Sequence, residues 1–415
     1  MSWQNPKIIW KHYRAKKRAV QLKEQIIDYL ANKENIPTGF NLQEEILARQ
    51  EKIRQILKAE DERWQDWHWQ LKNRLTSEEV LAQIINLPEN QKTAIRQVSK
   101  NFRWAISPYY ASLISSTEDP IGRQAIPSLE EIRDKQGVKD PMAEELTSPV
   151  LGLTRRYPDR LIINVTNQCA MYCRHCQRRR NIGEVDRHKT KRVLAAALAY
   201  IKANPEIRDV LLTGGDALLL PDRHLNWLLD ELDNIKHVEI KRIGTRTIVT
   251  LPQRITPELC AVLEAHPPVY INTQFNHPRE ITPEAAQACA RLVKAGVILG
   301  NQAVLLKGVN NDLAVIKKLH QELLKIRVRP YYLFQAKQVK GTGHFITPLE
   351  EGIAIMEKLR GYTSGLAVPT FIINAPGGYG KVPVLPQYVV RQDRNKWLLH
   401  TWEKRSIPYV EQLSE

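Results

Sequence analysis

The hydrophobic pattern changes character near residue 150. Before that point apolar residues recur at helical spacing, most clearly over 43–58 and 78–87, and an aromatic cluster, RWQDWHWQLKNRL, fills 63–75. Both features predict amphipathic helices, with Trp64, Trp67 and Trp69 as packing residues rather than a platform for stacked bases. A proline-punctuated stretch runs from Pro108 to Pro149. Beyond it, short β-branched runs appear at LIINVT (161–166), DVLLT (209–213), VEIKRI (238–243), VYINTQF (269–275), VILGNQAV (297–304), RPYYLFQ (329–335) and TFIIN (370–374). Helical patterns such as KRVLAAALAYIKA and PEAAQACARLVKAG lie between them. Strand and helix in alternation predict parallel βαβ units, and six or more in a row predict a full or partial barrel with its chemistry on loops at the carboxyl ends of the strands. On this reading the chain divides into an N-terminal helical region (1–150), a barrel (151–365) and a C-terminal segment (366–415).

Composition narrows the function classes. No stretch approaches the roughly 20 apolar residues of a membrane helix, and the opening MSWQNPKIIWKHYRAKKR lacks the apolar core of a secretion signal. A cytoplasmic protein without a membrane partner is expected. Three of the five cysteines fall within eight residues, which suits a metal in a reducing compartment better than a disulfide framework. The net charge of +16 invites a nucleic-acid partner, but much of it sits in helical stretches such as Arg14 to Arg18 and reads as a solvated face. A basic, zinc-containing RNA-binding protein is the rival reading from another class; it predicts colourless protein with salt-sensitive RNA affinity.

The candidate chemistry clusters at strand ends. After the first strand comes CAMYCRHC, with Cys169, Cys173 and Cys176 in a C-x3-C-x2-C spacing. Three thiolates can hold three irons of a cubane cluster and leave the fourth open, whereas a closed zinc site needs a fourth ligand, for which His175 is the nearest candidate. The second strand ends in TGGD, where Gly214 and Gly215 permit close backbone approach to a ligand and Asp216 adds a carboxylate. Arg155, Arg156 and Arg160 precede the cysteine loop, and Arg178, Arg179 and Arg180 follow it; their forked guanidinium groups suit phosphates and carboxylates. The last strand runs into NAPGGYGK, a glycine-rich loop ending at Lys381. Val382 follows that lysine, which excludes a Walker A motif, and a lysine presented by flexible backbone at a barrel mouth can form a Schiff base with a carbonyl cofactor.

Taken together these motifs resemble the aminomutase branch of the radical S-adenosylmethionine superfamily, the lysine 2,3-aminomutase family. The resemblance runs from about Arg63 to Val390 through WQDWHWQ, SPYY, GLTRRYPDR, CAMYCRHCQRRR, LLTGGDALLL, NTQFNHPRE, LGNQAVLLKGVN, GTGHF and APGGYGK. It implies an α/β fold: a partial (β/α)6 TIM-like barrel with an N-terminal helical region and a C-terminal extension. It also implies that Cys169, Cys173 and Cys176 carry a [4Fe-4S] cluster with S-adenosylmethionine on the open iron, near Gly214, Gly215, Asp216 and Gln302. Gln274 stands where the family has a histidine. Lys381 would hold pyridoxal 5'-phosphate, with Arg156, Tyr157 and Arg160 on its phosphate. The implied reaction is a radical migration of the amino group of an amino acid from C2 to C3. A reductant protein such as flavodoxin or ferredoxin and a homo-oligomeric assembly are the partners this implies, besides the small-molecule substrate.

Substrate choice rests on two positions. In the family's lysine enzyme two aspartates thirty-seven positions apart grip the distal ammonium; here the matching residues are Lys337 and Asn374. A lysine ammonium about 4 Å from Lys337 would be repelled by roughly 4 kcal/mol at an intermediate dielectric, and a carboxylate attracted by as much before desolvation. The expected substrate is therefore L-glutamate and the product β-glutamate, with Arg178 on the α-carboxylate; a lysine mutase making β-lysine is the alternative. The lysine enzyme also binds zinc through cysteines near its C-terminus and one mid-chain. This sequence has no cysteine after Cys289 and carries Asp312 at the middle position, so zinc is not expected.

Overall fold

Seven parallel strands in sequence order form the backbone of the molecule. The computed structural model describes residues 6–411. The first five residues of the stretch read for a secretion signal, and the last four of the C-terminal segment, lie outside the described residues. A short strand β1 (Leu153–Thr154) pairs antiparallel with β2 (Arg160–Thr166). Then β3 (Asp209–Gly214), β4 (Ile240–Gly244), β5 (Val269–Thr273), β6 (Ile298–Leu305), β7 (Arg329–Gln335) and β8 (Thr370–Ala375) add in parallel, each beside its predecessor. A final strand β9 (Gly380–Pro383) turns back antiparallel on β8. The nine strands run from β1 to β9 with the end strands unpaired to each other, so the barrel is open, as expected.

Local sequence explains each unit. The helix Lys191–Lys202 between β2 and β3 is alanine-rich and buries Leu194, Ala197, Leu198 and Ile201, an i, i+3, i+4, i+7 stripe. Asp222–Asp233 buries Leu225, Leu228, Leu229 and Leu232; each such leucine contributes roughly 1.5–3 kcal/mol of transfer free energy. Thr256 and Thr282 cap the helices Pro257–Glu264 and Pro283–Lys294, with proline at the first helical position of both. Asp312, the position where the family's lysine enzyme has a cysteine, caps Leu313–Lys325 by accepting from the Ala314 and Val315 amides. The sixth crossover helix is Leu349–Leu359. Along β6, Leu299, Ala303 and Leu305 are buried under the helices, while Gln302 and Val304 face the barrel interior.

The N-terminal helices Gln43–Leu57 and Glu78–Ile84 form where the periodicity places them. They do not pack apart from the barrel: one continuous core runs from Ile46 to Val328. Trp64 is buried in it, and Trp67 lies under the Arg254 guanidinium at 4.5 Å, as packing residues should. The first helix, Pro6–Glu24, buries no side chain. A three-stranded antiparallel sheet, β10 (Val389–Asp393), β11 (Lys396–His400) and β12 (Ser406–Val410), was not anticipated from sequence. Among the described residues no helix is long and apolar enough to cross a membrane.

Candidate active site

The loop leaving β2 is held from outside the barrel. Arg174, between two of the clustered cysteines, is fully buried and donates to both oxygens of buried Glu131, and Arg179 donates to the same carboxylate. Arg74 donates to the Cys169 carbonyl at 2.6 Å and pairs with Asp186, which also accepts from Tyr172 and Arg103. The N-terminal region therefore fixes the cysteine loop through charge pairs that sequence spacing alone does not reveal. Cys169, Cys173 and Cys176 all line one cavity of about 260 Å³ at the carboxyl ends of the strands.

The paired glycines have a sharper explanation than room for a ligand. A Cβ on Gly214 (φ +126°) would lie 2.4 Å from the Thr166 carbonyl oxygen, and one on Gly215 would lie 2.4 Å from that of Gln168. The Gly215 and Asp216 amides donate to those same two carbonyls, so the motif seats β3 against the cysteine loop while its residues line the cavity. The Asp216 carboxylate is buried and accepts from the Thr245 hydroxyl at 2.5 Å and from the Arg246 amide at 2.8 Å. Burial nonetheless raises its pKa.

Arg246 is the functional residue that the motifs did not announce. It is buried at the end of β4 and donates to Cys173 Sγ at 2.9 Å, with Glu280, Gln124, the Gln274 carbonyl and, at 3.4 Å, the Tyr110 hydroxyl as its other acceptors. Its only sequence signal was position: an arginine two residues beyond a parallel strand. His175, the candidate fourth zinc ligand, instead receives the Gln274 amide on Nε2 at 3.2 Å, and burial keeps the ring neutral. Gln274 and Gln302 both line the cavity.

Part of the same cavity wall is cationic. Arg156 and Arg178 converge on buried Glu144, at 3.5 and 2.9 Å, and Arg180 joins them at 2.8 Å. Arg155 turns outward to Glu206, so the flanking arginines divide: Arg156 and Arg178 line the cavity, and the rest brace the loop or the surface. Lys337 follows β7 and reaches in, and burial, with Arg178, Arg156 and Lys381 close by, draws its pKa down to about 7. Asn374 on β8 lines the same wall, and its Nδ2 is buried without a hydrogen-bond partner.

Lys381 does not end a flexible loop. It lies on β9, directly opposite Asn374 across the β8–β9 ladder, which fixes both side chains on one face. Its amide donates to Tyr157 Oη at 2.9 Å, and its ammonium sits 5.5 Å from the Tyr157 ring and 5.7 Å from that of Tyr332. Arg160 stacks on the Tyr157 ring at 4.0 Å. Enclosure of the ammonium, then Arg242, Arg160 and Arg156, draw the Lys381 pKa down to about 8; the residue as a whole is exposed at the rim, which moderates the effect. Tyr157 and Arg160 therefore flank the lysine at the rim, next to the cavity lined by Arg156.

These residues fit the cofactors the motifs imply. Among the described residues no three metal-binding side chains are already drawn into a cage, but three thiols share the cavity. Burial and their mutual proximity raise the Cys169 thiol pKa, and burial raises that of Cys176, so the positive charge of a bound cluster is what would stabilise thiolates there. The cations of the wall, Arg156, Arg178, Lys337 and Lys381, face buried Glu144 and the part-buried Asp140 and Asp209, which are themselves paired with Arg180 and Arg242, an excess of positive charge that a phosphate and substrate carboxylates would balance.

An open parallel barrel with three thiols on the loop after its first parallel strand defines an enzyme of the radical S-adenosylmethionine superfamily, and a family model described as Radical SAM superfamily matches residues 163–319. A second, described as Lysine-2,3-aminomutase, matches residues 356–412. The chain is 56% identical over 392 residues to glutamate 2,3-aminomutase of Clostridioides difficile, covering 94% of this chain and 93% of that one. It is 50% identical over 354 residues to L-lysine 2,3-aminomutase of Fusobacterium nucleatum (85% and 83%) and 48% identical over 357 residues to that of Clostridium subterminale (85% and 86%). The chain belongs to the lysine 2,3-aminomutase family. It is an isomerase, a radical aminomutase working with a [4Fe-4S] cluster and S-adenosylmethionine; pyridoxal phosphate completes the family's cofactor set. Membership decides the class against the RNA-binding alternative.

Proposed function

We propose that this aminomutase interconverts L-glutamate and β-glutamate, with pyridoxal phosphate on Lys381. The observation that carries the substrate reading is a pair of donors with capacity to spare: among the described residues Lys337 hydrogen-bonds the Gln177 amide oxygen and no carboxylate, and Asn374 Nδ2 has no acceptor. Both would be completed by the side-chain carboxylate of glutamate, whereas a lysine ammonium would meet a like charge. Aspartate is too short to span from Arg178 to Lys337 in the same way.

Cluster and S-adenosylmethionine supply a carbon radical and pyridoxal phosphate a carbonyl to carry the migrating nitrogen; the chain's own residues bind, orient and exclude water. The lowered Lys381 pKa leaves more of the amine unprotonated at neutral pH than an ordinary lysine would have. Arg156, Tyr157 and Arg160 hold the phosphate, and Arg178 takes the α-carboxylate. Cys169, Cys173 and Cys176 hold the cluster, with Gly214, Gly215, Asp216, Gln274 and Gln302 around S-adenosylmethionine. Residues 1–150 brace the cysteine loop, 151–365 carry the barrel through its sixth crossover helix, and 366–415 add the last parallel strand and present Lys381. A reducing cytoplasm suits the free thiols and would supply a flavodoxin or ferredoxin; a homo-oligomer is the proposed assembly.

The test is a double exchange. Lys337→Asp with Asn374→Asp is expected to lower kcat/KM for glutamate at least about a hundredfold, following the Coulomb estimate, and to raise turnover of lysine. Undiminished glutamate turnover in that variant would refute the substrate reading.

A further inference from the structure

We infer that Gln177 is a third determinant of the substrate's distal group, a positioning residue for the Lys337 ammonium; this rests on the glutamate reading. Gln177 immediately follows Cys176 and lines the cavity from the cysteine loop, an element separate from β7 and β8. Its Oε1 accepts from Lys337 Nζ at 2.5 Å. That is the one hydrogen bond Lys337 Nζ makes among the described residues; around it lie the Phe334 ring at 5.2 Å, the cations Arg178, Arg156 and Lys381, and the Glu144 carboxylate, which is already paired with Arg156, Arg178 and Arg180.

An enclosed ammonium needs an acceptor, and which acceptor it has decides what else it can bind. A carboxylate at position 177 would neutralise Lys337 and repel an incoming carboxylate. An amide oxygen aims the ammonium and leaves its charge available. The Gln177 amide also carries two N–H groups that make no hydrogen bond among the described residues. With Asn374 Nδ2, they give the cavity neutral donors for the second carboxylate oxygen. The geometry thus places the distal site at a junction of the cysteine loop, β7 and β8, rather than on two strands alone.

The experiment is equilibrium binding of L-glutamate to anaerobic holoenzyme with S-adenosylmethionine and no reductant, followed through the pyridoxal absorbance, beside steady-state kinetics. Gln177→Met keeps length and loses the acceptor. It is expected to raise both Kd and KM for L-glutamate about tenfold, with kcat within about twofold and iron content unchanged. Gln177→Glu, which pairs with Lys337, is expected to raise both by a larger factor and to lower the ratio of glutamate to lysine turnover. Gln177→Asn, retaining a shorter amide, is expected to fall between parent and Met variant, and serves as the comparison if Met lowers iron content.

Unchanged Kd and KM in all three would overturn the inference, as would a loss of kcat at constant KM, which would tie Gln177 to the cysteine loop alone. A parent enzyme that isomerises lysine and ignores glutamate would overturn the substrate reading itself. A parent active on glutamate with indifferent Gln177 variants would overturn only the role given to Gln177.

Discussion

Lys337 and Lys381 share a cavity rich in arginine, and their lowered pKa values have consequences at opposite ends of catalysis. Glutamate binding needs Lys337 charged, so with a free-enzyme pKa of about 7 the kcat/KM for glutamate is expected to fall as pH rises through neutrality. Lys337→Arg, which stays charged, should flatten that limb; a profile identical to the parent's would assign it to another group. The sign for stability is the reverse. Between the folded pKa near 7 and the ordinary lysine value near 10.4 the unfolded chain binds more protons, so stability of the ligand-free protein rises with pH across that window. Lys337→Met is accordingly expected to raise Tm at pH 7 by about 1–3 °C in ligand-free protein while lowering glutamate turnover. Legibility at this scale depended on contact. Lys337, Asn374, Arg178 and the cysteines were readable because motifs carry them, whereas Arg246 and Glu144 act through residues far away in sequence and gave no local signal.

Short parallel strands with β-branched runs were readable because one face of each packs under the helices while the other is half-buried toward the barrel interior, an alternation that leaves apolar residues at most of the buried positions. The strands missed were of another kind. β9 is GKVP, beginning with glycine and ending with proline, and exists because it pairs with β8. β12 has all five residues exposed, so no burial pattern marks it. That omission mattered, since it hid the cross-strand pairing that sets Lys381 opposite Asn374. The cysteine loop is an element in its own right, anchored by Glu131 beneath Arg174 and Arg179. Removing that carboxylate as Glu131→Ala leaves two enclosed cations uncompensated. It is expected to cost about 3–5 kcal/mol, seen as a lower unfolding midpoint, and to lower iron incorporation. Gly214→Ala, forced to hold φ +126° against the Thr166 carbonyl, should weaken S-adenosylmethionine binding with a smaller loss of stability, about 1–3 kcal/mol.

Across the whole molecule, the division at residue 150 separates roles more than cores. The buried cluster that begins at Ile46 continues through the barrel to Val328, so deletion of residues 1–150 is expected to yield insoluble protein. Deletion of residues 1–24, whose helix buries nothing and whose Arg18–Glu403 pair lies near the surface, should leave Tm nearly unchanged. The barrel and the C-terminal strand pair meet at the cavity, whose cysteine loop the N-terminal region braces from behind, and there radical chemistry, cofactor and distal recognition converge. The most direct measurement is anaerobic: reconstitute the protein with iron, sulfide, pyridoxal phosphate, S-adenosylmethionine and a reductant, supply L-glutamate and L-lysine separately, and follow both by NMR. β-Glutamate with little β-lysine is the expected result; β-lysine formation with glutamate left unchanged would contradict the role given to Lys337 and Asn374.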